Sequence, residues 1–367
     1  MVQVLFSGYY GFGNAGDEAI LYSMVQTFRA LAPEVEIAVL SHDPAATEKW
    51  LSVKAVNRWR PGEVVQAIRR ADLFISGGGS LLQDVTGPRS LLYYLGVLET
   101  ARLLRRPRMI YAQGMGPLQR DWARHLTAKV LDRVQLITLR DSYSRDFLQG
   151  LGVRRPVIKV TADPVLGMDM SSFDLQVGQK KLCQLGLEEN RKPLAGISVR
   201  FGPFLEGAAE ALTRMADELV SQGWEVVFLP FHFPRDVEAG YQVQRLMQAP
   251  SVLIKERLTL EELVGIISCL DLLVGMRLHA LILAAVLKVP FLGLSYDPKV
   301  EAFCRQVDQP WVGLNFLDFQ EMWGKVKKMI YELPYLKENI ERTVAELRPL
   351  ARCNAELALR LLWGGVV

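Results

Sequence analysis

A chain of 367 residues, half of them hydrophobic, is long enough for two domains with separate apolar cores. A formal net charge of +3 is too small to argue for a nucleic-acid partner, and no aromatic-basic RNA-binding module accompanies it. The four cysteines, Cys183, Cys269, Cys304 and Cys353, share no metal-ligand spacing with the four histidines, so they read as reduced structural thiols and no metal site or cofactor is expected.

The sequence opens on an apolar strand, residues 2–6, with no basic leader and no cleavable apolar segment, which points to a cytoplasmic protein. Strand-like runs then alternate with amphipathic segments of helical length, the pattern of parallel sheets built from βαβ units. Strands are expected at 36–40, 73–76, 108–112, 136–139 and 157–160, and helices at 17–31, 90–105 and 122–134. Residues 171–191 lack a strong period, carry Gly178, Gln179, Lys180, Lys181 and Asn190, and read as a linker. The pattern restarts with strands at 194–199, 225–231, 252–255, 272–275 and 291–295, and helices at 208–222, 260–269 and 278–287. The last of these helices is the most apolar and is well short of the ~20 residues a bilayer span needs. A soluble protein is expected, with room for peripheral work at the inner face of a membrane. In the tail, Leu336, Ile340, Val344 and Leu347 and then Leu357, Leu361 and Leu362 fall at helical spacing. The expected architecture is α/β, with two Rossmann-like lobes facing one another across a cleft: an N-terminal lobe at 1–170, a C-terminal lobe at 192–334, and helices from 335–367 packing on both.

The most informative stretch is Val274-Gly275-Met276-Arg277-Leu278-His279-Ala280, where an apolar strand gives way to a helix. Carboxyl ends of parallel strands form the binding crevice of such folds, and a helix N-terminus with unpaired N–H groups attracts anions. Arg277 there can hold a phosphate or carboxylate, and His279 can move a proton. The alternative is that Arg277 caps a neighbouring helix and His279 is a packed core histidine.

Glycines gather after the early strands. The first loop runs Gly8-Tyr9-Tyr10-Gly11-Phe12-Gly13-Asn14-Ala15-Gly16-Asp17-Glu18. It lacks the Gly-Lys-Ser/Thr of a Walker loop, and Asp17-Glu18 puts negative charge where a dinucleotide pyrophosphate would sit. Asp17 is either a helix N-cap or a ligand for sugar hydroxyls. Three further loops, Ser76-Gly77-Gly78-Gly79-Ser80-Leu81-Leu82-Gln83-Asp84, Gln113-Gly114-Met115-Gly116-Pro117 and Arg140-Asp141-Ser142, have the same mix of glycine and small polar residues. They suit a polyhydroxyl ligand, or are tight turns that need glycine. The expected acceptor-side residues are Gly13, Asn14, Asp17, Gly78, Gly79, Gln83, Asp84 and Gln113.

The order of these motifs, from the Gly8–Ala19 loop through Gly77-Gly78-Gly79, Gln113-Gly114-Met115-Gly116-Pro117 and Arg140-Asp141-Ser142 to Gly275-Met276-Arg277-Leu278-His279, resembles the polysaccharide pyruvyl transferase family, most of all its CsaB-type members. The resemblance spans nearly the whole chain. It implies a fold like that of GT-B glycosyltransferases and phosphoenolpyruvate as donor. It also implies transfer of pyruvate as a 4,6-ketal onto N-acetylmannosamine of a lipid-linked wall-polysaccharide precursor. By the same resemblance Arg277, Leu278 and His279 contact the donor or take part in catalysis. Arg140, Arg200 and Lys299 are the candidates for a second anion-binding cation.

Those residue types fit the chemistry, since the donor carries a phosphate and a carboxylate that arginine can grip bidentately. His279 suits either the acid that protonates the donor's methylene carbon or the base for a sugar hydroxyl. Two rival readings stand beside this one. A nucleotide-sugar glycosyltransferase of the same architecture would need a late ribose-binding carboxylate, for which Glu301 is the candidate, and a non-catalytic glycan-binding protein would bind without turnover.

Overall fold

Strands whose residues are buried on both faces need helices above and below them, and this chain builds that arrangement twice. The computed structural model describes residues 2–85, 87–187, 192–314 and 317–365. It divides into two compact units, one of residues 1–169 with 347–367 and one of residues 170–346. In the first unit, β1 (Gln3–Ser7), β2 (Glu36–Ser41), β3 (Lys54–Asn57), β4 (Leu73–Ser76), β5 (Arg108–Gln113), β6 (Leu136–Leu139) and β7 (Val157–Val160) form one parallel sheet in the order β3-β2-β1-β4-β5-β6-β7. In the second, β8 (Leu194–Ser198), β9 (Glu225–Phe228), β10 (Val252–Leu253), β11 (Leu272–Gly275), β12 (Phe291–Ser295) and β13 (Trp311–Gly313) follow the order β10-β9-β8-β11-β12-β13, also parallel. The expected α/β fold of two Rossmann-like units is therefore present.

Both orders place a topological switch point beside the first strand of the unit, between β1 and β4 and between β8 and β11, where such sheets open to receive a ligand. The register brings Ser7 level with Ser76, and Ser198 level with Gly275. Behind the first switch point, helix Ala15–Leu31 buries Ala19, Ile20, Leu21, Met24, Val25 and Phe28, and Phe28 meets Phe6 of β1 edge to face at 5.2 Å. Each large apolar side chain so buried contributes roughly 1.5–3 kcal/mol, which makes the strand ends a rigid base.

Three differences from the sequence reading have physical causes. The edge strands β3 and β13 escape the apolar-run criterion because β3 alternates Lys54, Ala55, Val56 and Asn57, and β13 is three residues long. Residues 171–191, expected as a linker, contain helix Gln176–Gln184, which packs on helix Leu260–Ser268 through Gly178 and Gly265. Residues 188–191 of that stretch lie outside the described residues. The tail is a single helix, Phe319–Leu362, that continues through Pro334 and Pro349. Pro349 cannot donate to the carbonyl of Ala345, and the boundary between the two units falls beside that weakened turn, at Glu346 and Leu347. Past the boundary, Asn354 is fully buried in the first unit, where its side chain accepts from Thr161 Oγ1 at 2.7 Å and donates to the Ala162 carbonyl at 3.1 Å. Among the described residues no helix is long and apolar enough to cross a membrane.

The glycine contact in the second unit leaves no room for a side chain. A Cβ on Gly178 would lie 2.0 Å from the carbonyl carbon of Gly265. Gly178→Ala should lower unfolding stability by ~1–3 kcal/mol through overpacking, whereas Gly207→Ala, in open space, should not; chemical denaturation of both variants is the check. Equal stability of the two would mean that the helix pair has room to separate.

Candidate functional site

The second switch point collects the cations. Met276 N–H donates to the Ser198 carbonyl at 2.8 Å, which extends the pairing of β8 and β11 by one residue and fixes where Arg277 emerges. Arg277 remains extended, at φ −79° and ψ 117°, as the N-cap residue of helix Leu278–Val286. Its side chain turns to Asp236 in the first turn of helix Arg235–Gln244, with Nε donating to Oδ2 at 3.0 Å and Nη2 to Oδ1 at 2.5 Å. The backbone N–H groups of Phe231 and His232 donate to the same Oδ2 at 3.1 and 2.8 Å. The Asp236 side chain has no exposure, so these four donors replace its water. Arg277 does therefore meet a neighbouring helix, as one reading of the sequence allowed. It spends only one edge of its fork there: Nη1 has no hydrogen-bond partner among the described residues, and the side chain keeps 16% exposure.

Further positive charge surrounds this pair. Arg200, two residues beyond β8, lies with its guanidinium 4.8 Å from the centre of the Tyr296 ring, and among the described residues no carboxylate pairs with it. The half-buried His232 ring reports the local field. Burial holds its pKa below the ordinary histidine value, Arg277 adds to the shift, and Arg235 and Arg200 contribute further against the opposing pull of Asp236. His279 stands in the first turn of helix Leu278–Val286, half-buried, with its Nε2 shielded from solvent. Lys299 is buried in the first turn of helix Pro298–Gln306, after β12.

Arg277, Leu278, His279, Arg200 and Lys299 thus all lie at the carboxyl edge of the second sheet, while Arg140 belongs to the first unit. Arg140 is 5% exposed and committed to internal partners: Nη1 donates to Asp163 Oδ2 at 3.0 Å, Nη2 donates to Ser80 Oγ at 3.3 Å, and Nε lies 3.7 Å from Asp141. It is a structural cation that ties the ends of β6 and β7. Sequence reading missed Asp236 and His232. It ran the strand on to residue 231, whereas β9 stops at Phe228, His232 lies in the turn that follows, and Asp236 opens helix Arg235–Gln244.

The first switch point is lined by loops whose polar groups satisfy one another. Asn14 is the N-cap of helix Ala15–Leu31 and accepts from Gly16 N–H at 3.2 Å, so Asp17 is a first-turn residue and not the cap. Glu18 accepts from Gly11 N–H at 2.8 Å, and Gly13 takes a positive φ of 74°. Gly78 fits against Ile20, and the Asp17 carboxylate lies 3.0 Å from where a Cβ on Gly79 would stand. Gln113 is buried and its Nε2 donates to Ser76 and Gly77, binding strand ends to one another. Gln83 accepts from Val85 N–H. Asp84 is buried, and the N–H groups of Gln119 and Arg120 donate to it at 2.8 and 2.9 Å. Burial alone would raise its pKa, but those two bonds and the charge of Arg120 outweigh it and hold the carboxyl below its ordinary value. Asp84 and Gln113 hold loops in place, and Asp17, Asn14, Gly13 and Gly79 are left as the edge of this end of the sheet.

A model of the polysaccharide pyruvyl transferase family matches residues 14–298, a span that includes the whole of the second switch point and, of the first, β4 and the helix that follows β1. The chain belongs to that family. It is also similar to the amylovoran biosynthesis protein AmsJ of Erwinia amylovora, at 21% identity over 95% of this chain and 97% of that protein. Among solved structures, a glycosyltransferase from Rickettsia africae superposes with a TM-score of 0.69 at 10% identity over the full length of both chains. Anabaena HepE in complex with UDP-glucose gives 0.68 at 14% identity, over 99% of this chain and all of that one. These likenesses establish the fold that pyruvyl transferase family sequences adopt here as that of two-unit glycosyltransferases.

Asp236→Ala strands a buried guanidinium edge and two backbone donors, and should cost about 3–5 kcal/mol in denaturant unfolding. A second expectation concerns pH. The folded state holds the His232 pKa below its unfolded value, so the unfolded chain binds the extra proton as pH falls through about 6.5, and stability drops with it. His232→Asn should flatten that part of the curve in melting temperatures taken from neutral pH downward, and an unchanged slope would mean that the ring is as free to protonate in the fold as in water.

Proposed function

We propose that this pyruvyl transferase family member works as its CsaB-type relatives are expected to. It would move the pyruvyl unit of phosphoenolpyruvate, as a 4,6-ketal, onto N-acetylmannosamine of a lipid-linked wall-polysaccharide precursor and release phosphate. The observation that carries this reading is the pair of arginines at the second switch point: Arg277 is oriented by Asp236 with Nη1 still on offer, and Arg200 has no acidic partner among the described residues. A donor with a phosphate and a carboxylate needs two such cations, and the guanidinium plane suits both groups. The N–H groups in the first turn of helix Leu278–Val286 add to the anion site. Lys299 is a further cation at the same edge.

In this proposal a proton is delivered to the methylene carbon of the donor, which becomes the methyl group of the ketal. One sugar hydroxyl then attacks the adjacent carbon, the second hydroxyl closes the ring there, and the C–O bond to phosphate breaks. Two hydroxyl protons are released and one is consumed at the methyl group, so the site must both give and take protons. His279 and His232 are the imidazoles at this edge among the described residues. His232, whose pKa is lowered by burial first and by its cationic neighbours second, suits the base that relieves a sugar hydroxyl, and His279 suits the acid. The acceptor is assigned to the first unit, at Gly13, Asn14, Asp17 and Gly79. The enzyme would act in the cytoplasm at the inner face of the membrane, where a lipid-linked precursor is accessible.

One observation favours a nucleotide-sugar transferase instead, namely the likeness in fold to a protein solved with UDP-glucose. Against it, the late carboxylate that such a donor needs for its ribose, Glu301, is paired with Arg305 at 2.7 Å. Incubation with phosphoenolpyruvate and a synthetic N-acetylmannosamine disaccharide should release phosphate and yield a product whose ketal methyl group is seen by NMR. Release of a nucleoside diphosphate from a UDP-sugar in the parallel reaction, with none of phosphate, would reverse the assignment. In the same assay Arg277→Lys should weaken donor binding by ~1–3 kcal/mol, because an ammonium cannot bridge Asp236 and a ligand in one plane. His279→Gln should lower kcat by at least ~10²-fold at near-normal donor affinity. Full activity of a folded His279→Gln variant would make His279 a packing residue.

A further inference from the structure

Three rings stand nearly parallel at the carboxyl ends of β1 and β2. Tyr9 and Phe12 of the glycine loop stack at 4.1 Å and 7°, and Phe12 stacks in turn on His42, the residue after β2, at 4.4 Å and 7°. Trp59, two residues past β3, stands edge-on to Phe12 and to His42, with centroids 6.3 Å apart in each case. Its Nε1–H donates to His42 Nδ1 at 2.8 Å, and its backbone N–H donates to Asn57 Oδ1 at 2.9 Å. Both ends of the tryptophan are thereby fixed.

The cluster is organised around a buried cation. Arg58 is 4% exposed, its Nη1 donates to the Gly8 carbonyl, and among the described residues no carboxylate pairs with it. Its guanidinium carbon lies 4.3 Å from the centre of Tyr93, 5.0 Å from Phe12 and 5.3 Å from Trp59. A desolvated cation that draws its stabilisation from ring faces holds those rings in place. Trp59 nevertheless leaves 56% of its surface exposed, and its one polar atom is already bound to His42. What it has left to offer a ligand is a flat, immobilised apolar face.

We propose that Trp59, oriented by His42 and Phe12, is the stacking platform for a pyranose ring of the acceptor glycan. This rests on the acceptor side of the proposed function and names its principal contact. A pyranose presents a face of C–H groups with hydroxyls around the rim, so it needs an aromatic plane with polar neighbours. Here the exposed residues that flank the rings in the chain are Asp43 and Arg60, and the platform opens at the strand ends where the crevice of such a sheet lies. Because the rings are ordered before the ligand arrives, little further ordering opposes binding.

The test uses the full chain labelled with 5-fluorotryptophan, with the Trp59 line assigned by its loss in Trp59→Phe. Titration with the N-acetylmannosamine disaccharide alone, without donor, should shift that line in a saturable way. The shift should be abolished when His42→Ala lets the indole adopt several orientations, seen as broadening of the same line before any sugar is added. In the transfer assay Trp59→Ala should raise acceptor KM by at least tenfold with kcat and donor KM near wild type, and Trp59→Phe should recover most of the loss. An unmoved fluorine line under saturating disaccharide would overturn the platform, as would a normal acceptor KM in Trp59→Ala. A line that moves with phosphatidylcholine vesicles and not with sugar would make Trp59 a membrane contact instead. The donor-free titration reads the platform even where no phosphate is released, so its failure and the failure of the proposed reaction are separate results.

Discussion

Asp236 is the side chain on which the ligand end of the second sheet depends. A carboxylate cut off from water costs several kcal/mol unless fixed donors replace its hydration. Here two backbone N–H groups and one edge of Arg277 do so. The same atoms therefore shape the turn after β9 and orient the guanidinium after β11. Neutralising Arg277 with Asp236 would by itself leave a poor anion site. Arg200 and Arg235 add positive charge around it, and with Arg277 they reinforce the lowering of the His232 pKa that burial begins.

The first sheet has the same strand order and a different use of charge. Arg140 is balanced by Asp163 and Asp141, and Asp84 by two backbone donors and Arg120. These groups close loops, and Arg58, which no carboxylate pairs with among the described residues, is buried under aromatic rings. Many of the glycines serve the same packing. A Cβ on Gly8 would fall 2.2 Å from the Tyr10 ring, one on Gly77 2.1 Å from the Tyr10 hydroxyl, and one on Gly114 2.8 Å from Arg140. Close internal approach accounts for these three without a ligand. Arg200, which no carboxylate pairs with among the described residues, lies at the strand ends of the second unit, and the first unit exposes the Trp59 ring at its own.

The fold was legible wherever an apolar run was long and central. Strands at 73–76, 136–139, 272–275 and 291–295 fall where their apolar runs place them, because burial on both faces leaves no other pattern. What escaped was of two kinds. Short elements such as β3 and β13 carry too few apolar residues to register. Long-range pairings, such as Arg277 with Asp236 forty-one positions away, have no local signature at all. The motif around Arg277 and His279 could be recognised from residue types alone, whereas the carboxylate that orients Arg277 sits in the first turn of helix Arg235–Gln244, for which the sequence reading had no element. The partners of Arg140 are equally remote in sequence, Asp163 twenty-three and Ser80 sixty positions away, and leave no trace at the strand end itself.

At position 277 arginine can pair with Asp236 and still keep a donor in hand. Its guanidinium offers two edges for paired hydrogen bonds, so Nε and Nη2 can be spent on Asp236 while Nη1 stays free in the same plane. A lysine would meet Asp236 with a single charge centre and be neutralised where it stands. The extended backbone of Arg277, at ψ 117°, places this residue just outside helix Leu278–Val286, and His279 comes just inside it. The cation is thus fixed by a strand end and a distant carboxylate, and the imidazole by the first turn of a helix. Two independent supports therefore hold side chains only two positions apart.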